Sequence, residues 1–274
     1  MTTPDFLVVV EGTEADRDLL GFARDLKEHL NATATSILVQ TDPMETLAMA
    51  GDPSYAMFSP AIVEGLKAGL SKVASANAEL VAEVGEIAHE SHIGHPNQIL
   101  PRRSSLADFV VISCACARDQ SMQSGLCETL LMEARVPVLV SRTSVSLLHG
   151  TTLVAWDGGP ESGRALRRAL PLLALSSRIV IAQVAKPLTE RAARFVDPKR
   201  AVDFLARYGL SAEIAILSEH EKEGEALLLH AKAIKASLLV AGAYGHSRLQ
   251  ELIFGGATKA FLNAKDSPNL FLVH

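Results

Sequence analysis

The sequence predicts two tandem α/β domains, each an open, five-stranded, mostly parallel sheet with helices on both faces. Three observations predict it. Short runs that are apolar throughout alternate with stretches of helical periodicity, as buried parallel strands and their connecting helices do. The same order of runs occurs twice along the chain. The last run of each half opens on a proline, Pro137 and Pro268, at a strand start where a missing N–H is tolerated.

In the first half the opening strand is Phe6-Leu7-Val8-Val9-Val10, followed by Glu11-Gly12. Leu19, Leu20, Phe22, Ala23, Leu26 and Leu30 then share one helical face, and residues 33–39 form the second strand. The extra length of this half falls between residues 41 and 83. Residues 62–84 read there as one long amphipathic helix, and residues 42–60 as a surface loop, with a lid as the alternative. In the second half strands are expected near 151–156, 178–184, 211–217, 237–241 and 269–273. Helices are expected near 160–174, 189–207, 222–235 and 255–264. The strand at residues 107–112 matches that at 236–241, and 136–140 matches 267–273. The boundary therefore lies in the patternless segment 144–150, giving domains 1–145 and 150–274.

Composition is that of an ordinary globular chain. Of 274 residues, 48% are hydrophobic and 21% charged, and aromatics at 5% leave the core to aliphatic packing. A net charge of -5 gives no footprint for nucleic acid or an anionic membrane. No apolar run is long enough to span a bilayer, and the start lacks the pattern of a signal peptide. Cys114, Cys116 and Cys127 are odd in number and confined to one half, which argues against a disulfide framework. The expectation is a cytoplasmic protein.

Chemistry in an open parallel sheet belongs at the carboxyl ends of the strands. Asp157-Gly158 follows the first strand of the second half; Gly242, Gly245, His246 and Arg248 follow the fourth, and Gly255, Gly256 and Thr258 stand at the next helix start. Glycines let backbone N–H groups approach an anion, and a helix N-terminus offers more such donors. Arg248 could add a bidentate contact. The spacing Gly-x-x-Gly, nine residues, Gly, with the Asp-Gly turn and this strand order, resembles the universal stress protein family over both halves, and better in the second.

The resemblance implies a flavodoxin-like or Rossmann-like fold and, in many members, binding of ATP or AMP, with Mg2+, without strong catalysis. By position, Asp157 would face the adenine or ribose, and Gly242, Gly245, Gly255 and Gly256 would line the phosphates. One departure stands at Gly256, where the family's motif has Ser or Thr. That hydroxyl donor is lost, and Thr258 is a candidate substitute. No catalytic residue is implied. In the first half Glu11 replaces the aspartate and residues 113–119 lack both early glycines, so that site is expected to be degenerate.

Other constellations read as structure. His89, His92 and His95 would share a face only on a helix, and Gly94 and Pro96 argue instead for a strand end and turn, so no metal site is assigned. Cys114 and Cys116 lack paired zinc spacing and read as strand-end core, with redox sensing as the alternative if a thiol is exposed. Ser247 with His246 and Asp157 lacks a nucleophile elbow. The leading reading is a stress-response regulator binding an adenine nucleotide in its second domain. The alternatives are a non-nucleotide adaptor or small-ligand protein, and a slow ATPase. The terminal strands of the two halves, each with an edge to cover, are expected to pair internally as a pseudo-dimer, which leaves room for a homodimer as well.

Overall fold

Buried parallel strands carry both halves of the chain. The computed structural model describes residues 3–42, 44, 60–118, 125–142, 147–185, 197–218, 222–243 and 256–274. The loop expected at 42–60 lies almost wholly outside these residues. Two compact units result, Met1–Thr129 and Leu130–His274.

The first unit runs β1 (Asp5–Val10), α1 (Asp16–Leu30), β2 (Thr33–Gln40), α2 (Pro60–Val84), β3 (Ala88–Ile93), α3 (Pro96–Arg103), β4 (Phe109–Ser113) and α4 (Cys114–Ala117). Its strands pair in the order β3-β2-β1-β4, all parallel. Phe6 lies opposite Phe109, and their rings stack at 4.8 Å. Helix α1 buries Leu19, Leu20, Ala23 and Leu26, as its periodicity requires; each fully buried leucine contributes about 1.5–3 kcal/mol. It ends at Asn31, which adopts the left-handed conformation and satisfies two terminal carbonyls.

Helix α5 (Leu126–Met132) leads to β5 (Val138–Ser141). There follow β6 (Thr151–Ala155), α6 (Pro160–Arg168), α7 (Leu170–Leu173), β7 (Arg178–Val184), α8 (Pro198–Ala206), β8 (Glu213–Leu217), α9 (Glu223–Ala233), β9 (Ala236–Gly242), α10 (Gly256–Asn263) and β10 (Asn269–Val273). In the second unit the order is β5-β10-β9-β6-β7-β8. All neighbours are parallel except β5 and β10, which run antiparallel with Val140 opposite Leu270. The strands that end the two sequence repeats thus pair with each other, and β5 packs in the second unit beside its partner. The single helix expected at 160–174 is interrupted at Ala169. Pro171 has no N–H to offer the carbonyl one turn back, so the ladder breaks there.

Two features fix the helix that precedes β10. A Cβ on Gly224 of α9 would stand 2.8 Å from Ala257 Cα and 3.0 Å from Ala260 Cβ, so glycine there allows α9 and α10 to touch backbone to backbone. At the other end of α10, the buried Arg142 guanidinium donates to the carbonyls of Phe261 and Leu262 at 3.4 and 3.5 Å, a cation at the negative end of the helix.

Candidate functional site

The chain leaves β6 toward β7 but returns from β8 to β9 on the other side of β6. This reversal opens a crevice at the carboxyl ends of β6 and β9, the place where open α/β sheets hold ligands. Val154 pairs with Val240, so Asp157 and Gly242 leave the sheet side by side.

Asp157 shapes the turn it begins. Gly158 has φ +77°, matching Gly12 at +76° in the corresponding turn of the first unit; L side chains rarely adopt this conformation. Asp157 Oδ1 accepts from the Gly159 N–H at 2.8 Å and from Ser162 Oγ at 2.7 Å. Ser162 Oγ also lies 2.9 Å from the Gly159 carbonyl. Asp157 Oδ2 accepts no hydrogen bond among the described residues, and the side chain is half-exposed. One oxygen holds the turn, and the other is not used by it.

Gly242 is required by packing. A Cβ there would lie 2.7 Å from Glu161 Cβ and 2.8 Å from Glu161 C and Ser162 N. The bare backbone lets the start of α6 close onto the end of β9, which brings the Asp157 turn to the crevice. Any larger residue at 242 would displace that turn as well as any anion. Helix α10 begins on Gly256, where a Cβ would meet nothing within 4 Å. Thr258 is buried on the same helix. Gly245, His246, Arg248 and Gly255 lie outside the described residues.

The first unit has the same turn with different chemistry. The carboxylate of Asp16, at the first turn of α1, accepts from the Glu11 N–H at 3.0 Å and the Thr13 N–H at 2.8 Å, and from Asn77 Nδ2 at 3.2 Å. The amides of that turn are already taken by a carboxyl group belonging to the chain. Ser113 stands where the second unit has Gly242, and its hydroxyl donates to Glu11 Oε1 at 3.2 Å. Asp16 is 4% exposed, and burial raises its carboxyl above the usual 3.8 against the opposing pull of the backbone and Asn77 hydrogen bonds. Stability from such a group is complete below the ordinary carboxylate range and is lost as pH rises through the raised value. Relative to Asp16→Asn, which cannot ionise, the wild type is expected to lose ground between about pH 4 and about pH 7. Urea midpoints of both proteins at the two pH values check this; a difference that stays flat, or moves in the wild type's favour, contradicts it.

The histidines do not converge. His89 and His92 lie on β3 three residues apart, so they project to opposite faces, and His95 stands at the N-cap of α3. His89 Nδ1 lies 3.2 Å from Ser36 Oγ, and His92 Nε2 lies 3.1 Å from Glu90 Oε2. Burial holds His89 below its usual range, against the pull of Glu90. No group of His, Cys, Asp or Glu among the described residues is arranged to hold a metal ion. Cys114 is half-exposed, and Cys116 and Cys127 are buried.

Sequence reasoning did not single out Ser162, Asp16 or Gly224. A serine at the third position of a helix that follows Asp-Gly-Gly-Pro was a legible signal for the first of these, since such a hydroxyl reaches back into the turn. Gly224 carries no local signal at all, because its partner is a helix more than thirty residues away.

Residues 150–270 match the model of the Universal stress protein family. A universal stress protein from Archaeoglobus fulgidus DSM 4304 is 17% identical, with 100% of this chain and 99% of that chain covered and a TM-score of 0.71. A functionally unknown protein from Pseudomonas aeruginosa PAO1 is 16% identical, with 99% and 92% covered and a TM-score of 0.60. These two likenesses extend the shared fold to the whole chain. A universal stress protein solved in complex with cAMP is 24% identical over 46% of this chain and 98% of that chain, with a TM-score of 0.37. No curated protein matches the chain. Among the described residues no helix is long and apolar enough to cross a membrane.

Proposed function

We propose, from the premise that residues 150–270 are a universal stress protein domain, that this protein is a cytoplasmic stress-response regulator binding one adenine nucleotide, ATP or AMP, in its second unit. The observation that carries the reading is the divided role of Asp157. Its Oδ1 is taken by Gly159 and Ser162, while Oδ2 stands at the reversal of strand order with no hydrogen bond among the described residues. A carboxylate oxygen placed there accepts from a ribose hydroxyl or an adenine amino group. Gly242, at the end of β9, and the start of α10 at Gly256 would supply backbone N–H groups to the phosphates. Mg2+ would enter with the nucleotide, held chiefly by phosphate oxygens. In the first unit the Asp16 carboxylate occupies the turn amides, which supports a single nucleotide per chain.

The test is extraction and native mass spectrometry of protein purified without added nucleotide, followed by calorimetric titration with ATP and AMP, with and without Mg2+. One nucleotide per chain is the expected result. Absence of binding at millimolar nucleotide would overturn the reading in favour of an adaptor. The open space around Gly256 adds a gain-of-function arm: Gly256→Ser restores a hydroxyl donor without a clash. It is expected to tighten binding by roughly three- to tenfold, the value of one added hydrogen bond.

A further inference from the structure

A second concave site lies in the second unit, between α6 and α8. Arg200 and Phe204 on α8 and Arg207 at its C-cap are spaced four and three residues apart and so share one face. On α6, Leu166 and Arg167 turn toward them. Together with Trp156, at the end of β6, these side chains line a cavity of about 210 Å³. Its walls combine two chemistries. Leu166 and Trp156 are buried and apolar, while three guanidiniums stand around the opening.

The charge has no carboxylate partner among the described residues. Arg167 lies 5.2 Å and Arg207 5.4 Å from the centroid of the same Phe204 ring, so one π-face system serves two cations. Among the described residues, no carboxylate is within ion-pair distance of Arg167, Arg200 or Arg207. The acids nearest in sequence are otherwise placed: Glu161 pairs with Arg164, Asp197 caps α8 through the Lys199 N–H, and Asp203 is exposed on α8. Three like charges gathered with no anion beside them among the described residues repel one another, and a bound anion relieves that repulsion. Guanidinium is the side chain that matches phosphate geometry and also tolerates stacking on an aromatic ring.

We propose that this groove binds a small organic phosphate, its phosphate among Arg167, Arg200 and Arg207 and its apolar or planar body over Leu166 and Trp156. The groove lies between α6 and α8, whereas the Asp157 turn faces the ends of β6 and β9; the two adjoin at the end of β6, where Trp156 precedes Asp157. Phosphate binding in the groove stands independently of the nucleotide reading.

Trp156 is the sole tryptophan of the chain, so its fluorescence reports on the groove. Phenyl phosphate is the probe, with benzoate, phenol and inorganic phosphate as comparisons. A saturable change in emission is expected with phenyl phosphate, weaker with inorganic phosphate and with benzoate, and absent with phenol. Arg200→Gln with Arg207→Gln should weaken phenyl phosphate roughly ten- to a hundredfold, the loss of two charge-assisted contacts. The exposed positions of both arginines should leave the circular dichroism and urea midpoint unchanged, and ATP binding measured calorimetrically should be untouched. No saturable response in the wild type, or an unchanged affinity in the folded double variant, would overturn the proposal. Equal loss of ATP and phenyl phosphate binding would also overturn it, by making the groove part of the nucleotide site. Tighter binding of benzoate than of phenyl phosphate would replace phosphate by carboxylate and so refute the ligand class.

Discussion

Asp157→Asn is expected to lower adenine-nucleotide affinity by about ten- to a hundredfold, the value of one or two charge-assisted hydrogen bonds, while the second unit stays folded. The separation of effects follows from the two oxygens. An asparagine carbonyl oxygen placed at Oδ1 still accepts from the Gly159 N–H and Ser162 Oγ, which lie 2.8 and 2.7 Å from it in the wild type. The amide nitrogen then falls at Oδ2, where it presents a donor to the ligand's donor. Calorimetric titration against the wild type reads the affinity, and a urea midpoint reads the fold. Unchanged affinity in the folded variant would remove Asp157 from the site. The choice of position matters: Gly242→Val would lose binding too, but a side chain there meets the backbone of Glu161 and Ser162, so the loss would say nothing about the ligand.

Asn269→Leu is expected to destabilise the second unit by about 2–4 kcal/mol, the cost of leaving two buried polar groups unpaired. Asn269 is fully buried on β10. Its Oδ1 accepts from the Arg142 N–H at 2.7 Å, just beyond β5, and its Nδ2 donates to the Ser237 carbonyl on β9 at 2.9 Å. One side chain thus ties three adjacent strands where the antiparallel pair meets the parallel set. Leucine fills a similar volume but satisfies neither group. Urea unfolding should show a lower midpoint with an unchanged slope. A midpoint equal to the wild type would mean that the ladder, and not the side chain, fixes β10. Because Arg142 also holds the C-terminal carbonyls of α10, nucleotide affinity should fall with stability in this variant, whereas in Asp157→Asn it falls alone.

The strands, most of the helices and the twofold repeat were legible in the amino-acid sequence. Those features rest on local patterns: runs of Val, Leu and Ile long enough to be buried on both faces, helical periodicity, Asp-Gly at a turn, and proline at a strand start. Even the pairing of β5 with β10 was legible, since two apolar edges must be covered. The remaining features are of another kind. Which oxygen of Asp157 is spent on the turn, why residue 242 must be glycine, how Asp16 fills the amides of the first unit, and where two arginines meet over Phe204 all depend on approaches of a few ångströms between residues apart in the chain. Periodicity records which face of an element is buried; it carries no record of which atom of another element arrives there, because that is set by the packing of side chains and backbones far apart in the chain.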